Sequence, residues 1–308
     1  DMTANKTQTL TQESQRILKN MTDPREITTY VNLLGMNSSY GMPERVKSDM
    51  RNFKQYLRFK PDIKLKYVYY YLNASESIRS RYPDLSDKEI ALKYTDLMKL
   101  DINMFLSPEE IQQQIDLSPE GYRFVRQLKL GNGEKTFLRL YEDQLVFPTE
   151  AETSAALKRL IVKPPKVAFL TGHGERDANN IGDQDYYTFA NNKTFRYALI
   201  NQGFDITSFE LSKDRELPQD IDILVIADPQ IPYSEDELQT IKNYIAQGKN
   251  LIVAGEPGRQ EITNPLIGLL GVQFLPDILQ QPTKDFDPSL ISCNPTKEAA
   301  QISAEYAN

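Results

Sequence analysis

The sequence has one cysteine, Cys293, and one histidine, His173, among its 308 residues. A disulfide within the chain needs two cysteines, and the usual zinc sites need several Cys or His ligands, so both are excluded. The sequence also lacks any apolar run close to the roughly 18 residues that a membrane-spanning helix requires. Its longest apolar runs are short segments such as 223–227. The printed residues therefore contain no predicted membrane span.

Positive charges are also outnumbered by negative charges. The chain has 36 Lys and Arg against 43 Asp and Glu, which gives a formal net charge of -7 and a pI near 5.1. Such a balance lacks the electrostatic footprint of proteins that bind phosphate backbones, so nucleic acid is not an expected partner. Hydrophobic residues make up 40% and charged residues 26%, as in an ordinary globular protein. At about 150 residues per domain, the length favours two domains.

Several motifs that identify catalytic chemistry are missing. There is no G-x-x-x-x-G-K-[ST] loop and no G-x-S-x-G elbow, so neither a P-loop ATPase nor that class of hydrolase is indicated. The Gly172–Gly174 turn lacks the third glycine of a dinucleotide fingerprint, and Cys293 lies in an irregular tail. Asp183 and Asp185 could bind a hard cation, although solvated loop carboxylates are more usual in an acidic chain. We predict no cofactor and no metal site, and we expect the chain not to be an enzyme.

Residues 1–162 have the pattern of an N-terminal mixed α/β domain. A β-branched run at 27–31 predicts a strand, and apolar residues spaced four and three apart predict a helix over 43–58. A second strand follows at 63–71. The Gly131–Gly133 segment separates two alternating runs, which predicts a β-hairpin. We therefore expect a β-α-β beginning followed by a hairpin.

The pattern changes at Pro164 and Pro165, which predict an interdomain connector. Residues 163–275 alternate short apolar strands with helices, as in a doubly wound, mostly parallel sheet. Residues 276–308 are rich in Pro, Asp and Gln and predict an irregular tail. The predicted fold class is α/β, with domains at 1–162 and 163–275.

Three helices are predicted within the second domain. Ser234 and Glu237 form a capping box ahead of the best-marked helix, which Gly248 ends. A second helix is expected to end near Asn201, and a third to begin at 264–265, where proline suits the first turn.

A candidate site follows from the polar turns after Leu170, Ala227 and Ala254, where three predicted strands end. Ligands of open α/β sheets bind beyond the carboxyl ends of the strands, so these turns could form one crevice. The imidazole there could act as a base oriented by a nearby carboxylate. Alternatively, the glycines serve a tight turn, and the polar side chains only cap helices or bond loop backbone. The candidate ligand or partner residues are Gly172, His173, Gly174, Glu175, Asp228 and Glu256.

The run K-V-A-F-L-T-G-H-G-E at 166–175 carries a resemblance to a known family, together with segments 10–18, 44–59, 150–160 and 234–253. The chain resembles the extracytoplasmic region of the gliding-motility-associated ABC transporter auxiliary proteins, a substrate-binding-like family of the GldG type. The resemblance covers about residues 8–275, and G-H-G-E after a strand is its most specific element.

The resemblance implies a setting for the chain. The second domain would resemble the glutamine-amidotransferase-like (flavodoxin-like) fold without its nucleophile. The partners would be an ABC transporter permease and a separate ATPase subunit, on the periplasmic side of the cytoplasmic membrane. The full-length protein would be membrane-anchored, with an apolar stretch of about 20 residues before Asp1 and another after Asn308. Gliding itself does not follow, because related proteins occur in transport systems of non-gliding bacteria.

Three functional hypotheses result. The leading hypothesis is a noncatalytic accessory or ligand-binding region of an ABC-type transport complex for gliding or export. The alternative is a hydrolase or transferase of a small polar ligand that uses His173 with Glu175 or Glu256. A third is a structural scaffold that holds partner proteins.

Overall fold

The computed structural model describes residues 9–23, 25–182, 185–211 and 216–302, which form an α/β structure with two four-stranded sheets. The strands are β1 (Arg25–Asn32), β2 (Lys64–Tyr70), β3 (Val125–Leu130), β4 (Lys135–Arg139), β5 (Lys166–Thr171), β6 (Asp205–Glu210), β7 (Ile223–Ala227) and β8 (Asn250–Ala254). The helices are α1 (Gln12–Asn20), α2 (Val46–Met50), α3 (Lys54–Phe59), α4 (Glu76–Arg81), α5 (Asp87–Met98), α6 (Pro108–Gln114), α7 (Glu150–Arg159), α8 (Tyr187–Ala190), α9 (Glu235–Ala246), α10 (Gln260–Ile267) and α11 (Ala299–Ile302).

The first sheet is mixed and has the strand order β2-β1-β3-β4. β2 runs parallel to β1, whereas β3 runs antiparallel to both β1 and β4. The register places Ile27 of β1 opposite Leu65 of β2 and Leu128 of β3. Ile27 and Leu128 are buried in a core that includes Leu18 of α1 and Leu157 of α7. The predicted strands and the β3–β4 hairpin are confirmed.

The second sheet is all parallel and has the strand order β6-β5-β7-β8. The two central strands, β5 and β7, are almost continuously buried, whereas the edge strands β6 and β8 are mostly half-buried. Central strands of parallel sheets are covered on both faces, which explains why their sequences are apolar without alternation. The α/β class and a parallel second sheet are confirmed.

The chain divides into two compact units. The first comprises the described residues of Asp1–Phe169, Asp177–Ser208 and Gln219–Ile223, and the second those of Leu170–Arg176, Phe209–Pro218 and Leu224–Asn308. The boundary at 164–165 stays a prediction about independent folding. Within the described residues, no helix combines the length and the apolar character that crossing a bilayer requires.

The predicted helix over 43–58 is interrupted. A 3-10 turn at Arg51–Phe53 separates α2 from α3. The prediction of a helix that ends near Asn201 is also largely wrong, since the described residues of this region contain only the short α8 and a 3-10 turn at Leu199–Asn201. Asn201 explains this difference, because its side-chain amide donates to the carbonyls of residues 192, 193 and 195. Side chains that bond nearby backbone in this way compete with helical hydrogen bonds.

The helix predicted to begin at Asn264 instead begins at Gln260, with Pro265 inside it. Asn264 does not cap this helix. Its side chain bonds the backbone N–H and carbonyl of Phe274, at 2.8 and 3.1 Å. The Asn264 side chain therefore bonds a later segment of the chain instead of capping the helix, as its sequence position had suggested.

Candidate functional site

The turn after β5 depends on two glycines. Gly172 and Gly174 have φ of 113° and 73°, a region that side-chain-bearing residues rarely adopt. A Cβ on Gly174 would lie 2.9 Å from Cβ of Gln230. The turn presents the His173 carbonyl to the backbone N–H groups of Gln230 and Ile231, at 2.8 and 3.1 Å. The segments after β5 and β7 are thereby tied together.

The His173 imidazole lies in a pocket of aromatic and acidic groups, with its side chain 8% exposed. Its Nε2 is 3.2 Å from Oε2 of Glu237, and its Nδ1 is 3.7 Å from Oε1 of Glu175. Among the described residues Nδ1 has no hydrogen-bond partner. The ring packs against Tyr233 with centroids 4.4 Å apart. Glu237 is therefore the carboxylate positioned to accept from the imidazole.

Glu175 is held by two donors, and its side chain is fully buried. Its Oε2 accepts the His173 backbone N–H at 2.6 Å, and its Oε1 accepts the Tyr233 hydroxyl at 2.5 Å. Burial and then the Glu175 carboxylate raise the pKa of Tyr233 far above its ordinary value, so the phenol remains a donor. Both carboxylate oxygens of Glu175 thus stabilise the local structure.

Glu237 belongs to the capping box that begins α9. Its Oε2 accepts from the backbone N–H of Ser234 at 2.8 Å and from the Ser234 hydroxyl at 2.9 Å. Burial would raise the pKa of Glu237, but the bonds from Ser234 and the interaction with His173 outweigh it, and the pKa is lowered. The carboxylate stays ionised beside His173 at neutral pH.

Asp228 follows β7 and organises a second cluster. It is 3% exposed and adopts φ of 53°. Its Oδ2 accepts from Arg259 and from Arg176, the latter at 3.3 Å, and its Oδ1 accepts the Glu256 backbone N–H at 3.3 Å. Burial opposes ionisation, but the bond and charge of Arg259 lower the pKa of Asp228. Arg176 also pairs with Glu256, so the arginines compensate both carboxylates.

The structure gathers the six predicted residues at the carboxyl ends of β5, β7 and β8. Their side chains form two groups, His173 with Glu175 on the turn that the two glycines shape, and Asp228 with Glu256. The sequence interpretation missed the partners of both groups, which are Tyr233, Glu237, Arg176 and Arg259. Only Glu237 had a sequence signal, and that signal indicated helix capping alone.

The strand order places these groups at the switch point of the second sheet. With β5 counted as the first strand of its sheet, the order is 2-1-3-4. Successive strands are therefore added on one side of β5 and then on the other, and the switch point lies between β5 and β7. Ligands of doubly wound sheets bind at such switch points. Whether this edge binds a ligand stays a prediction.

Metal ligation has little support among the described residues. They contain no group of three or more His, Cys, Asp or Glu arranged to hold a metal ion. Asp183, named above as a possible cation ligand, lies outside the described residues, and Cys293 is exposed.

A cavity of about 510 Å³ lies within the first unit, between α1 and α7. It is lined by apolar side chains that include Ile17, Ala155 and Phe204, and none of the six candidate residues contributes to it. This cavity and the sheet edge are separate features.

Comparison with known families gives a match over part of the chain. Residues 164–293 match the family described as "ABC-type uncharacterized transport system", an auxiliary family, and this region includes both groups of candidate residues. No curated protein and no solved structure matches the chain. The resemblance to an ABC transport auxiliary family is therefore confirmed over this region, which is less than half of the chain.

Proposed function

We propose that this chain, whose residues 164–293 match an ABC-type transport auxiliary family, is a noncatalytic accessory or ligand-binding region of such a transport complex. The family match carries this proposal. The 308 residues contain no P-loop motif, and the proposal assigns ATP hydrolysis to a separate subunit.

The geometry of the sheet edge supports a noncatalytic role. A general base must reach the proton that it abstracts from a substrate. The His173 side chain is 8% exposed, and its Nε2 already faces Glu237. Glu175 is fully buried between two donors, and Glu256 pairs with Arg176 instead of orienting the imidazole. These bonds favour a structural role for the turn over a role for His173 as a general base.

The finer parts of the proposal concern fold, location and partners. The 2-1-3-4 order of the parallel strands is that of flavodoxin-like sheets, which supports an amidotransferase-like second domain without its nucleophile. The chain would lie on the periplasmic side of the cytoplasmic membrane, anchored beside a permease and its ATPase. The transport complex would act either in gliding or in another export process.

A genetic experiment tests this function. Deleting the gene should produce the same defect as deleting a neighbouring permease gene, and deleting both should be no more severe. The variant His173→Ala, expressed from the chromosome at normal levels, should restore function to the strain that carries the gene deletion. An additive double defect would contradict a shared complex, and a stable His173→Ala protein that fails to restore function would favour the hydrolase alternative.

A further inference from the structure

A shallow basic groove lies on the first unit, along α2, α3 and the turn between them. It encloses about 350 Å³ and is lined by four cationic and two apolar side chains, which are Lys47, Met50, Arg51, Lys54, Leu57 and Arg58. We refer to these six residues as the basic groove.

The spacing of the cations places them on one face. Lys47, Arg51, Lys54 and Arg58 are separated by four, three and four residues, and all four are exposed. The opposite face is buried, at positions 49, 53 and 56. Residues 43–66 carry eight Lys or Arg and three Asp or Glu, in a chain whose net charge is -7. A strongly cationic surface is thus embedded in an acidic protein.

The cations of the basic groove have no ion-pair partner within the part of the chain that the structure describes. Among the described residues, none of its four cations lies in an ion pair, whereas nearby Arg25 and Lys66 are paired with Asp62 and Glu26. The carboxylate of Asp49 lies on the same segment but is buried and bonded to Arg126. The remaining acidic neighbour on this segment is Glu44, which is exposed.

We propose that the basic groove binds the surface of a bilayer that contains anionic phospholipid. Lys and Arg close to such a surface are attracted to its phosphate-bearing headgroups. Met50, which is 37% exposed, and Leu57 lie between the cations, where they can enter the boundary between headgroups and acyl chains. The inference is independent of the proposed transport function, because it concerns a different surface and does not use the family match.

Two features favour lipid over nucleic acid. Proteins that bind single strands stack the bases on aromatic side chains, and the lining of the basic groove contains none. The apolar side chains between the cations would also be left without a partner by a phosphate backbone, whereas the bilayer interface accommodates them.

Vesicle sedimentation tests the proposal with the 308-residue chain. Vesicles of phosphatidylcholine with phosphatidylglycerol should bind the chain, and vesicles of phosphatidylcholine alone should not. Replacing Lys47, Arg51, Lys54 and Arg58 by Gln should weaken binding by more than about tenfold, since each cation near an anionic surface contributes severalfold. Raising the salt concentration should also weaken it.

The matched control removes the same charge elsewhere. Replacing the exposed residues Lys88, Lys93, Lys242 and Lys284 by Gln gives the same net charge and should leave binding within about twofold. The pair Lys47→Arg with Lys54→Arg keeps the charge and should also bind normally. If the quadruple groove variant is unstable in a thermal melt, the pair Lys47→Gln with Lys54→Gln replaces it and should still weaken binding severalfold.

Several results would overturn the proposal. Equal binding by the groove variant and the control variant would place the lipid contact elsewhere. Binding to duplex or single-stranded DNA that exceeds binding to anionic vesicles would make nucleic acid the partner. Full competition by millimolar glycerol phosphate would indicate a site for a free anion instead of a bilayer surface.

Discussion

Tyr233 donates its hydroxyl to Glu175 at 2.5 Å, which joins the residue ahead of the α9 cap to the turn after β5. The second oxygen of the same carboxylate accepts the His173 backbone N–H at 2.6 Å. One buried glutamate therefore fixes both the turn and the ring that packs on His173. The imidazole, held in this way, faces the Glu237 carboxylate.

Removing this bond should destabilise the fold. Tyr233→Phe leaves a buried carboxylate oxygen without its donor, and Glu175→Ala leaves two donors unpaired, so each change should cost about 1 to 3 kcal/mol. The free energy of unfolding, measured by urea denaturation, checks this. Tyr197→Phe is the control, because Tyr197 is 65% exposed and should change little. Stability unchanged in both Tyr233→Phe and Glu175→Ala would show that Glu175 does not organise the turn.

Gly174→Ala should destabilise more than Gly248→Ala. Gly174 and Gly248 have nearly the same φ, 73° and 72°, so an alanine suffers similar backbone strain at either position. Of the two positions, only Gly174 would bring the new Cβ against another described residue, at 2.9 Å from Cβ of Gln230, whereas no described residue has an atom within 4 Å at Gly248. We expect the Gly174 variant to lose at least about 1 kcal/mol more. Equal losses in thermal melts of the two variants would argue against the close approach of Gln230.

Local signals in the sequence predicted the elements that local bonds determine. The Ser234–Glu237 box forms as expected, and the Gly131–Gly133 turn joins β3 to β4. These features depend on residues close together in the chain, so a sequence pattern contains their full cause.

Long-range bonds explain what the sequence did not show. Glu237 caps its own helix, but it also faces His173, a partner far away in the chain. Arg196 bonds Glu152 at 2.7 Å inside the first unit, and no spacing rule connects those positions. The asparagine bonds that replaced the expected helix before residue 201 likewise depend on folded geometry.

Asp49→Asn should be strongly destabilising. Asp49 pairs with the fully buried Arg126 and accepts the Tyr67 hydroxyl at 2.6 Å. Without the carboxylate charge, the guanidinium is left buried and uncompensated, which costs about 3 to 5 kcal/mol. Asp49→Asn combined with Arg126→Met should recover part of this loss in urea unfolding.

The exposed pair Glu13 and Arg16 provides the control for this prediction. Their side chains are 50% and 68% exposed, so Glu13→Gln should leave stability unchanged within error. A loss for Asp49→Asn no larger than that of Glu13→Gln would show that the buried pair does not contribute to stability.

Glu120 should make stability depend on pH. Burial opposes its ionisation, but bonds and charge from Arg139 and Lys193 outweigh burial and lower its pKa below the ordinary 4.5. A lowered folded-state pKa stabilises the fold above the unfolded-state value, and this contribution is lost as pH falls through the folded-state pKa. Glu120→Gln should therefore reduce the free energy of unfolding at neutral pH and flatten the decline of that free energy below about pH 4.5.

The control variant is Glu142→Gln. Glu142 is 54% exposed, so this variant should retain the wild-type decline of stability with falling pH. A Glu120→Gln profile parallel to wild type would contradict the assignment.

Co-purification of the protein with a permease and an ATPase encoded by neighbouring genes is the measurement that tests the proposed transport complex. The protein would carry an affinity tag, be co-expressed with both subunits and be extracted in mild detergent, with a tagged, membrane-anchored protein of unrelated sequence as the control. We expect permease and ATPase to elute with the tagged protein in one size-exclusion peak and to be absent from the control. Elution of the tagged protein alone, while permease and ATPase elute together in a separate peak, would contradict it.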